Sequence, residues 1–189
     1  MKLVISVVVL MCVGAAQAQG TITLTLDILS EIQKIKTIEE RLNALELKSK
    51  NEEKMKVAFS ASPSDIGYIG PQDEAKTLVY ENVFTNIGNA YDSTTGIFTA
   101  PVKGVYFFNF VVFNAAAPES GVKLLKNDKL VVAATDNPPL ELTEDTACNS
   151  VTLLLEQGDQ IRLQLIEKRR IYTDNLNRNT FSGHLLFTV

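Results

Sequence analysis

TGIFTAPVKGVYFFNFVVF, residues 95–113, is the stretch that decides the fold class of this chain. From Val105 onward it alternates like a β-strand, and yet both of its faces are apolar. One face carries Tyr106, Phe108, Phe110 and Val112, and the other carries Val105, Phe107, Val111 and Phe113, interrupted only by Asn109. A half-buried antiparallel strand alternates apolar with polar residues instead. We therefore predict a central strand whose second face is covered by the same chain, by another subunit or by a ligand.

Short runs of the same kind fill the rest of residues 57–189. They are rich in β-branched and aromatic residues, and turn residues interrupt them about every eight to twelve positions. Asn127 and Asp128 lie between two such runs and predict a hairpin turn. The runs are KVAFSAS, TLVYENVF, GIFTA, GVYFFNFVVF, VKLLKN, KLVVAAT, ACNSVTLLLE, QIRLQLI and SGHLLFTV. So many short strands without helical periodicity predict an all-β domain over residues 56–189, a jelly-roll β-sandwich.

The segment before it, residues 19–55, predicts a short helical coiled coil for oligomerisation. It contains no Gly or Pro between Thr21 and Ser62, and apolar residues recur with a heptad period. The heptad core positions are Leu24, Ile28, Ile35, Ile38, Leu42 and Leu45, with Glu31 as the one polar exception, and the flanking positions pair Lys34 with Glu39 and Arg41 with Glu46. Isoleucine at both core positions favours three or more strands. The alternative is an amphipathic helix that packs on its own domain.

The first eighteen residues have the pattern of a secretory signal peptide. Lys2 precedes an apolar run from Leu3 to Val13, and Ala16-Gln17-Ala18 forms a small-residue cleavage site. The apolar run is too short to span a bilayer, so we expect no membrane span and a secreted, extracellular product beginning at Gln19. Losing Lys2 changes the net charge from −4 to −5, which argues against nucleic acid as a partner.

The residue types do not favour catalysis or a zinc site. Only Cys148 remains after signal cleavage, so no internal disulfide is expected. We predict that Cys148 is a small buried apolar residue; the alternative is an intermolecular disulfide that joins subunits into larger assemblies. His184 is the single histidine and lies in a predicted strand, and no nucleophile or metalloprotease motif is present. We predict that the protein is not an enzyme.

Three separated motifs in the β-rich part carry a family resemblance. In the first, Tyr80 is followed at fixed intervals by aromatic, amide and glycine residues: Asn86, Tyr91, Phe98, Gly104, Tyr106, Phe108 and Phe110. The second motif is Gly158, Asp159 and Ile161, and the third is Phe181, Gly183, Leu185 and Leu186. Together they resemble the signature of the complement C1q globular domain, with Tyr80 in place of the usual Phe. The rings and glycines are residues that build a sandwich core and its turns, so we interpret them as fold residues.

The resemblance implies a jelly roll shared with tumour necrosis factor, assembled as a homotrimer. No collagen repeat precedes the domain in this sequence, so the layout resembles the collagen-less, C1q-like and cerebellin-like branch. That branch implies a secreted recognition protein that binds carbohydrate or microbial surface ligands in innate immunity. The alternative is a cerebellin-like extracellular signalling ligand or organiser that binds cell-surface receptors.

Two groups of residues are candidate binding sites. Lys168, Arg169 and Arg170 precede Tyr172, and this basic run could bind anionic glycans or an acidic receptor patch; alternatively it protects a strand edge. The second group is acidic. No cofactor is required by the sequence, but calcium is possible, with Asp136, Glu144, Asp145 and Asp174 as oxygen ligands, as some family members hold it near the trimer axis.

Overall fold

The computed structural model describes residues 28–50, 56–64, 66–115, 118–136 and 144–189. The chain divides into two compact units, Met1–Glu53 and Lys54–Val189. The predicted signal peptide, residues 1–18, and the heptad residue Leu24 lie outside the described residues.

In the first unit, residues 28–50 form one continuous helix, α1, which confirms the helix prediction. Its heptad side chains are exposed, from 50 % for Ile28 to 63 % for Ile38 and Leu45. In proteins most helical stability comes from packing an apolar face against another element. The stripe of exposed apolar residues is therefore consistent with a coiled coil, which stays a prediction.

The described part of the second unit contains thirteen strands and confirms the all-β jelly-roll prediction. The strands are β1 (Ala58–Ser62), β2 (Gly67–Ile69), β3 (Lys76–Thr77), β4 (Asn82–Ile87), β5 (Tyr91–Asp92), β6 (Ile97–Thr99), β7 (Gly104–Ala115), β8 (Gly121–Lys126), β9 (Lys129–Thr135), β10 (Glu144–Leu155), β11 (Gln160–Leu165), β12 (Ile171–Thr173) and β13 (Thr180–Thr188). One sheet has the order β10-β7-β13-β1-β4, and the other has the order β5-β6-β11-β8-β9 with β3 beside β11. A third, two-stranded sheet joins β12 to β2.

Strand β7, which contains the stretch quoted first, is central in the five-stranded sheet, as predicted. It pairs with β10 on one side and with β13 on the other. Its inward residues Tyr106, Phe108, Phe110 and Val112 are each 0 % exposed. Aromatic rings fill the space between the sheets, with the Phe59 ring stacked on Tyr91 at 4.7 Å and edge-on to Phe181 at 4.8 Å. Burial of these rings is the main stabilising contribution in the sandwich.

Two of the signature residues close the turn between β4 and β5. The Asn86 side chain donates to the Tyr91 carbonyl oxygen at 2.8 Å and accepts from the Tyr91 N–H at 3.2 Å. The Tyr91 hydroxyl lies between the backbone N–H and carbonyl of Tyr80, 3.2 Å from each, and burial raises the pKa of Tyr91 to about 12. The Tyr80 hydroxyl is buried and has no hydrogen-bond partner among the described residues, which is the cost of a tyrosine where the family pattern has Phe.

The hairpin prediction is confirmed. Asn127 and Asp128 form the turn between β8 and β9 with φ of +47° and +66°, the left-handed region that a two-residue type I′ turn requires. Asp159, a signature residue, holds this turn to the start of β11. Its carboxylate accepts from Lys126 at 2.8 Å and from Asn127 at 2.7 Å. The hydrogen bond from Lys126, with those from Asn127 and the Glu156 N–H, lowers the pKa of Asp159 to about 2.

We expect Asp159→Asn to lower the free energy of unfolding by about 1–2 kcal/mol at pH 7, because charge-assisted hydrogen bonds to the turn are lost. An unfolded aspartate has a pKa of about 3.9. The folded value is about 2, so this stabilisation is present above about pH 4 and is lost as the pH falls through about 2. Urea unfolding of both proteins across this range measures the difference. A difference of the same size at pH 7 and pH 2 would contradict the assignment.

Candidate functional site: the outer sheet face and the arginine–aromatic ladder

The face of the five-stranded sheet that points away from the core, here called the outer face, is apolar at one end. Cross-strand partners share a face, so the register places side chains in rows. One row joins Leu154, Val105 and Phe187, and the next joins Thr152, Phe107, His184, Ala58 and Ile87. Leu154, Phe187 and Ile87 are each more than half exposed. Two adjoining rows that carry exposed and half-buried apolar side chains, interrupted by Thr152 and His184, are typical of an interaction surface.

The outer face becomes polar along the next rows. Ser150, Asn109, Ser182, Ser60 and Thr85 form one row, in which the hydroxyl oxygens of Ser60 and Ser182 are 2.8 Å apart. The following row contains Cys148, Val111 and Thr180. The prediction of a buried Cys148 is wrong, because its thiol is exposed. Strand β10 alternates with period two, and the register of its pairing with β7 assigns Cys148 to the outer face.

At the far end of the outer face, the same chain covers β7 with a ladder of arginine and aromatic side chains. We define the arginine–aromatic ladder as Arg170, Tyr68, Tyr172, Phe113 and Arg178. The Arg170 guanidinium lies 3.9 Å from the Tyr68 ring, Tyr68 contacts Tyr172 at 4.8 Å, and Tyr172 contacts Phe113 at 6.1 Å. The Arg178 guanidinium lies 3.4 Å from the Phe113 ring. Cation–π contacts of this kind fix a guanidinium against a ring face.

What covers the second face of β7 therefore differs along the strand. Phe113, although its parity places it on the outer face, is only 2 % exposed because Tyr172 and Arg178 pack against it. Val105 and Phe107 are only partly covered within the described chain. One end of the second face is covered by the chain itself, and the other end remains accessible to a second molecule.

The predicted basic run does not form one exposed patch. The Arg169 guanidinium donates to the carbonyl oxygens of Ser120 at 2.7 Å and Asp136 at 3.2 Å, and it pairs with Glu119 at 3.1 Å. Arg170 lies in the ladder and donates to the Ala115 carbonyl oxygen at 3.1 Å.

The other two candidates of the run differ in exposure. Lys168 is exposed in a turn with φ of +61°. Tyr172 packs between Tyr68 and Phe113. The two arginines and Tyr172 therefore connect loops within the domain, and only Lys168 presents its charge freely to solvent.

The four calcium candidates lie in two pairs. Arg178 donates to Glu144 at 2.8 Å and also pairs with Asp174, and its hydrogen bond lowers the pKa of Asp174. A guanidinium already neutralises these carboxylates, so they do not fit a cation. Asp145 faces Asp136, and desolvation together with that neighbouring charge raises the pKa of Asp145. Among the described residues, no group of three or more acidic, histidine or cysteine side chains could hold a metal ion.

The C1q domain family matches residues 58–186. The chain belongs to the C1q domain family. Over 134 residues it is 33 % identical to Caprin-2 of Danio rerio, and this match covers 70 % of the chain but only 14 % of Caprin-2.

Solved C1q and TNF-like structures have the same fold. The globular domain of zebrafish complement 1qA protein is 19 % identical, with a TM-score of 0.58, and the match covers 71 % of this chain and 100 % of that one. Murine APRIL is 11 % identical, with a TM-score of 0.57 over 69 % of this chain and 99 % of that one. C1q and TNF-like domains form trimers, and C1q domain proteins are typically extracellular. Within the described ranges, no helix is long and apolar enough to cross a membrane.

Several residues of this C1q domain site were missed in the sequence. Tyr68 lies in the short strand β2, whose partner β12 is more than a hundred residues later, and Arg178 is an isolated charge in an amide-rich loop. The sequence pattern predicts Phe113 only as an apolar residue of β7. It predicts Tyr172 as a ligand contact, without its partner Tyr68. No local sequence signal connects residues so far apart, because their contact depends on which strands pair.

Proposed function

We propose that this protein is a secreted, trimeric C1q-type recognition protein that binds carbohydrate or microbial surface ligands in innate immunity. The observation that carries the proposal is the accessible apolar end of the outer face, where Phe187, Leu154 and Ile87 are 56 %, 54 % and 53 % exposed. In a family whose domains form trimers, a second and third copy of the chain are the natural cover for such a surface. The trimer then presents three identical copies of every ligand site.

Trimeric presentation suits the recognition of repetitive surfaces. A second binding event on the same surface is intramolecular, so overall avidity can exceed the affinity of one domain by about 10²–10⁴-fold. C1q and TNF-like domains are typically non-enzymatic ligand-binding proteins, which agrees with a role in recognition and not in catalysis. A microbial glycan coat offers many identical sites within reach of one trimer.

The alternative is a cerebellin-like signalling ligand that binds a receptor protein, and one observation favours it. Tyr68 is 51 % exposed, and the Arg170 guanidinium lies 3.9 Å from its ring. Tyrosine and arginine are enriched at the energetic centres of protein–protein interfaces. An exposed tyrosine held in place by an arginine is the kind of rigid contact that a protein partner uses.

Light scattering and two binding assays test the proposal together. Light scattering measures the mass of the mature secreted protein, residues 19–189, and of a shorter chain, residues 56–189, with and without reductant. We expect a trimer mass for both, since the outer face belongs to the second unit, and saturable binding to immobilised glycans or intact bacteria. A monomer in both cases would overturn the trimer. Binding to cells of a single type, with none to glycans or bacteria, would favour the signalling alternative.

A further inference from the structure

An open cleft of about 460 Å³ lies beside the start of β4, between the loop after β1 and the loop after β12. Its lining is mostly polar and includes Ser64, Glu81, Asn82, Asp174 and Asn177, with Ile66 as an exposed apolar contribution. These residues come from three separated parts of the chain.

The loop after β12 is held in one conformation. The Asp174 carboxylate accepts from the Leu176 N–H at 3.0 Å, and the Asn177 N–H donates to the Asp174 carbonyl oxygen at 3.3 Å. Asn177 has φ of +53°, a conformation that asparagine tolerates better than most residues. The backbone that carries the Asn177 amide is therefore fixed before any ligand arrives.

The Asn177 side chain is oriented by its oxygen. That oxygen accepts from the hydroxyl of Ser62, which is 0 % exposed, at 2.9 Å, and from the Asn82 amide at 3.4 Å. The Asn82 amide nitrogen also donates to the Ser62 hydroxyl at 2.9 Å. The Asn177 amide nitrogen and the Asn82 amide oxygen have no hydrogen-bond partner within the described residues. The exposed side of this network thus offers one fixed donor group and one fixed acceptor.

Carboxylate oxygens complete the polar lining. Glu81 accepts from the Ser64 N–H at 3.3 Å and from the Ser64 hydroxyl at 3.1 Å, both through one oxygen, so its other oxygen is left to accept from a ligand. A hydroxyl group both donates and accepts, so a ligand with several hydroxyls can satisfy such a mixed lining. Ile66, at 69 % exposure, adds an apolar surface for the C–H face of a sugar ring.

The charge of the cleft lining favours neutral ligands over anionic ones. Among the described residues, Glu81 and Asp174 are the charged groups lining the cleft, and Arg178 neutralises Asp174, so this part of the lining has no excess positive charge. Arg169 and Arg170 have their guanidinium groups committed to intrachain contacts. An anionic glycan entering the cleft would meet the Glu81 carboxylate without a compensating cation.

We propose that this cleft is a binding site for neutral, hydroxyl-rich saccharide units, with Asn177 as donor and Asn82 and Glu81 as acceptors. The proposal rests on the proposed carbohydrate-recognition function and names its site and ligand class. It differs from the expectation drawn from the basic run of residues 168–170, which pointed to anionic glycans.

The test compares two matched pairs of variants of the mature secreted protein. Asn177→Asp keeps the oxygen that accepts from Ser62 but replaces the outward amide donor with an acceptor, and Asn89→Asp makes the same change at another left-handed asparagine, with φ of +50°. Ile66→Ala removes the exposed apolar surface of the cleft, and Leu130→Ala removes one of similar exposure, 63 %, on β9. Circular dichroism and light scattering check fold and mass.

Binding is measured by surface plasmon resonance to immobilised mannan and laminarin, two neutral polysaccharides, and to heparin. We expect saturable binding to a neutral polysaccharide, weakened about tenfold by Asn177→Asp, since a lost hydrogen bond and a misplaced acceptor together cost about 1.4 kcal/mol. Ile66→Ala should weaken binding in the same direction, whereas Asn89→Asp and Leu130→Ala should leave it unchanged.

The other outcomes distinguish the two proposals. Neutral-polysaccharide binding that survives both Asn177→Asp and Ile66→Ala would overturn the cleft as its site and leave the proposed function in place. Binding to heparin or intact bacteria, with none to either neutral polysaccharide, would also overturn the cleft and leave recognition standing. Failure to bind any glycan or bacterium would overturn both.

Discussion

Replacing Phe107 with glutamate should convert the trimer that we propose for residues 56–189 into a folded monomer. Phe107 lies in the second apolar row of the outer face, and its ring is 5.5 Å from that of His184. In a trimer formed through this face, each copy would bury an added carboxylate in the interface, at a cost of several kcal/mol per subunit. Such a penalty raises the dissociation constant by about three orders of magnitude or more. Light scattering gives the mass, and circular dichroism verifies the fold.

The matched control is Leu130→Glu, which adds the same charge at an exposed leucine on β9, in the opposite sheet. It should leave the trimer intact. Residues 56–189 are used because α1, as a predicted coiled coil, can hold subunits together by itself. A Phe107→Glu protein that is folded and still trimeric would mean that the outer face is not the subunit interface.

Adding a single methyl group at Gly183 should destabilise the domain by about 3 kcal/mol, the upper end of the usual range for overpacking. A Cβ at this position of β13 would lie 2.5 Å from Cδ1 of Phe108 and 2.7 Å from Cε1 of Phe59. Both rings are almost completely buried and contact further rings, so neither can move without disturbing the core. Urea unfolding of Gly183→Ala measures the loss.

A double variant separates overpacking from other effects of alanine. Phe108→Leu alone leaves a cavity and costs stability, but it also removes the ring atoms nearest to the new methyl group. Gly183→Ala with Phe108→Leu should therefore be less destabilising than the sum of the two single changes. Strict additivity would contradict the steric explanation for this signature glycine.

Much of the fold could be predicted from local patterns. The type I′ turn at Asn127 and Asp128 needs only two residues that tolerate positive φ, and the helix of residues 28–50 needs only helix-forming residues in a heptad pattern. The centrality of β7 followed from the apolar character of both of its faces. The prediction of a buried Cys148 failed because it too relied on local composition. The composition indicated an apolar strand, but only the strand register assigns each residue to a face.

The candidate sites could be predicted only in part. The basic run of residues 168–170 predicted one charged patch because the three adjacent residues carry the same charge. Side chains of adjacent residues point in different directions, so the run does not form a patch. Pairing of β12 with β2 brought Tyr68 to Tyr172 and Arg170. Arg178 pairs with both Glu144 and Asp174 and so neutralises two of the expected calcium ligands. Asn177, in the loop after β12, and Asn82, at the start of β4, line the same cleft although they are 95 residues apart in the sequence.

The sequence by itself determined the fold class, the central strand, the helix and the family signature, because backbone propensity, side-chain periodicity and tight turns act over a few neighbouring residues. The tertiary structure alone decided which face of each strand meets the core, which arginines are occupied within the chain, and which amides line a common cleft. Those properties depend on strand register and on pairing between distant segments. Contacts of that kind form only when the whole sandwich closes, so no short stretch of sequence carries them.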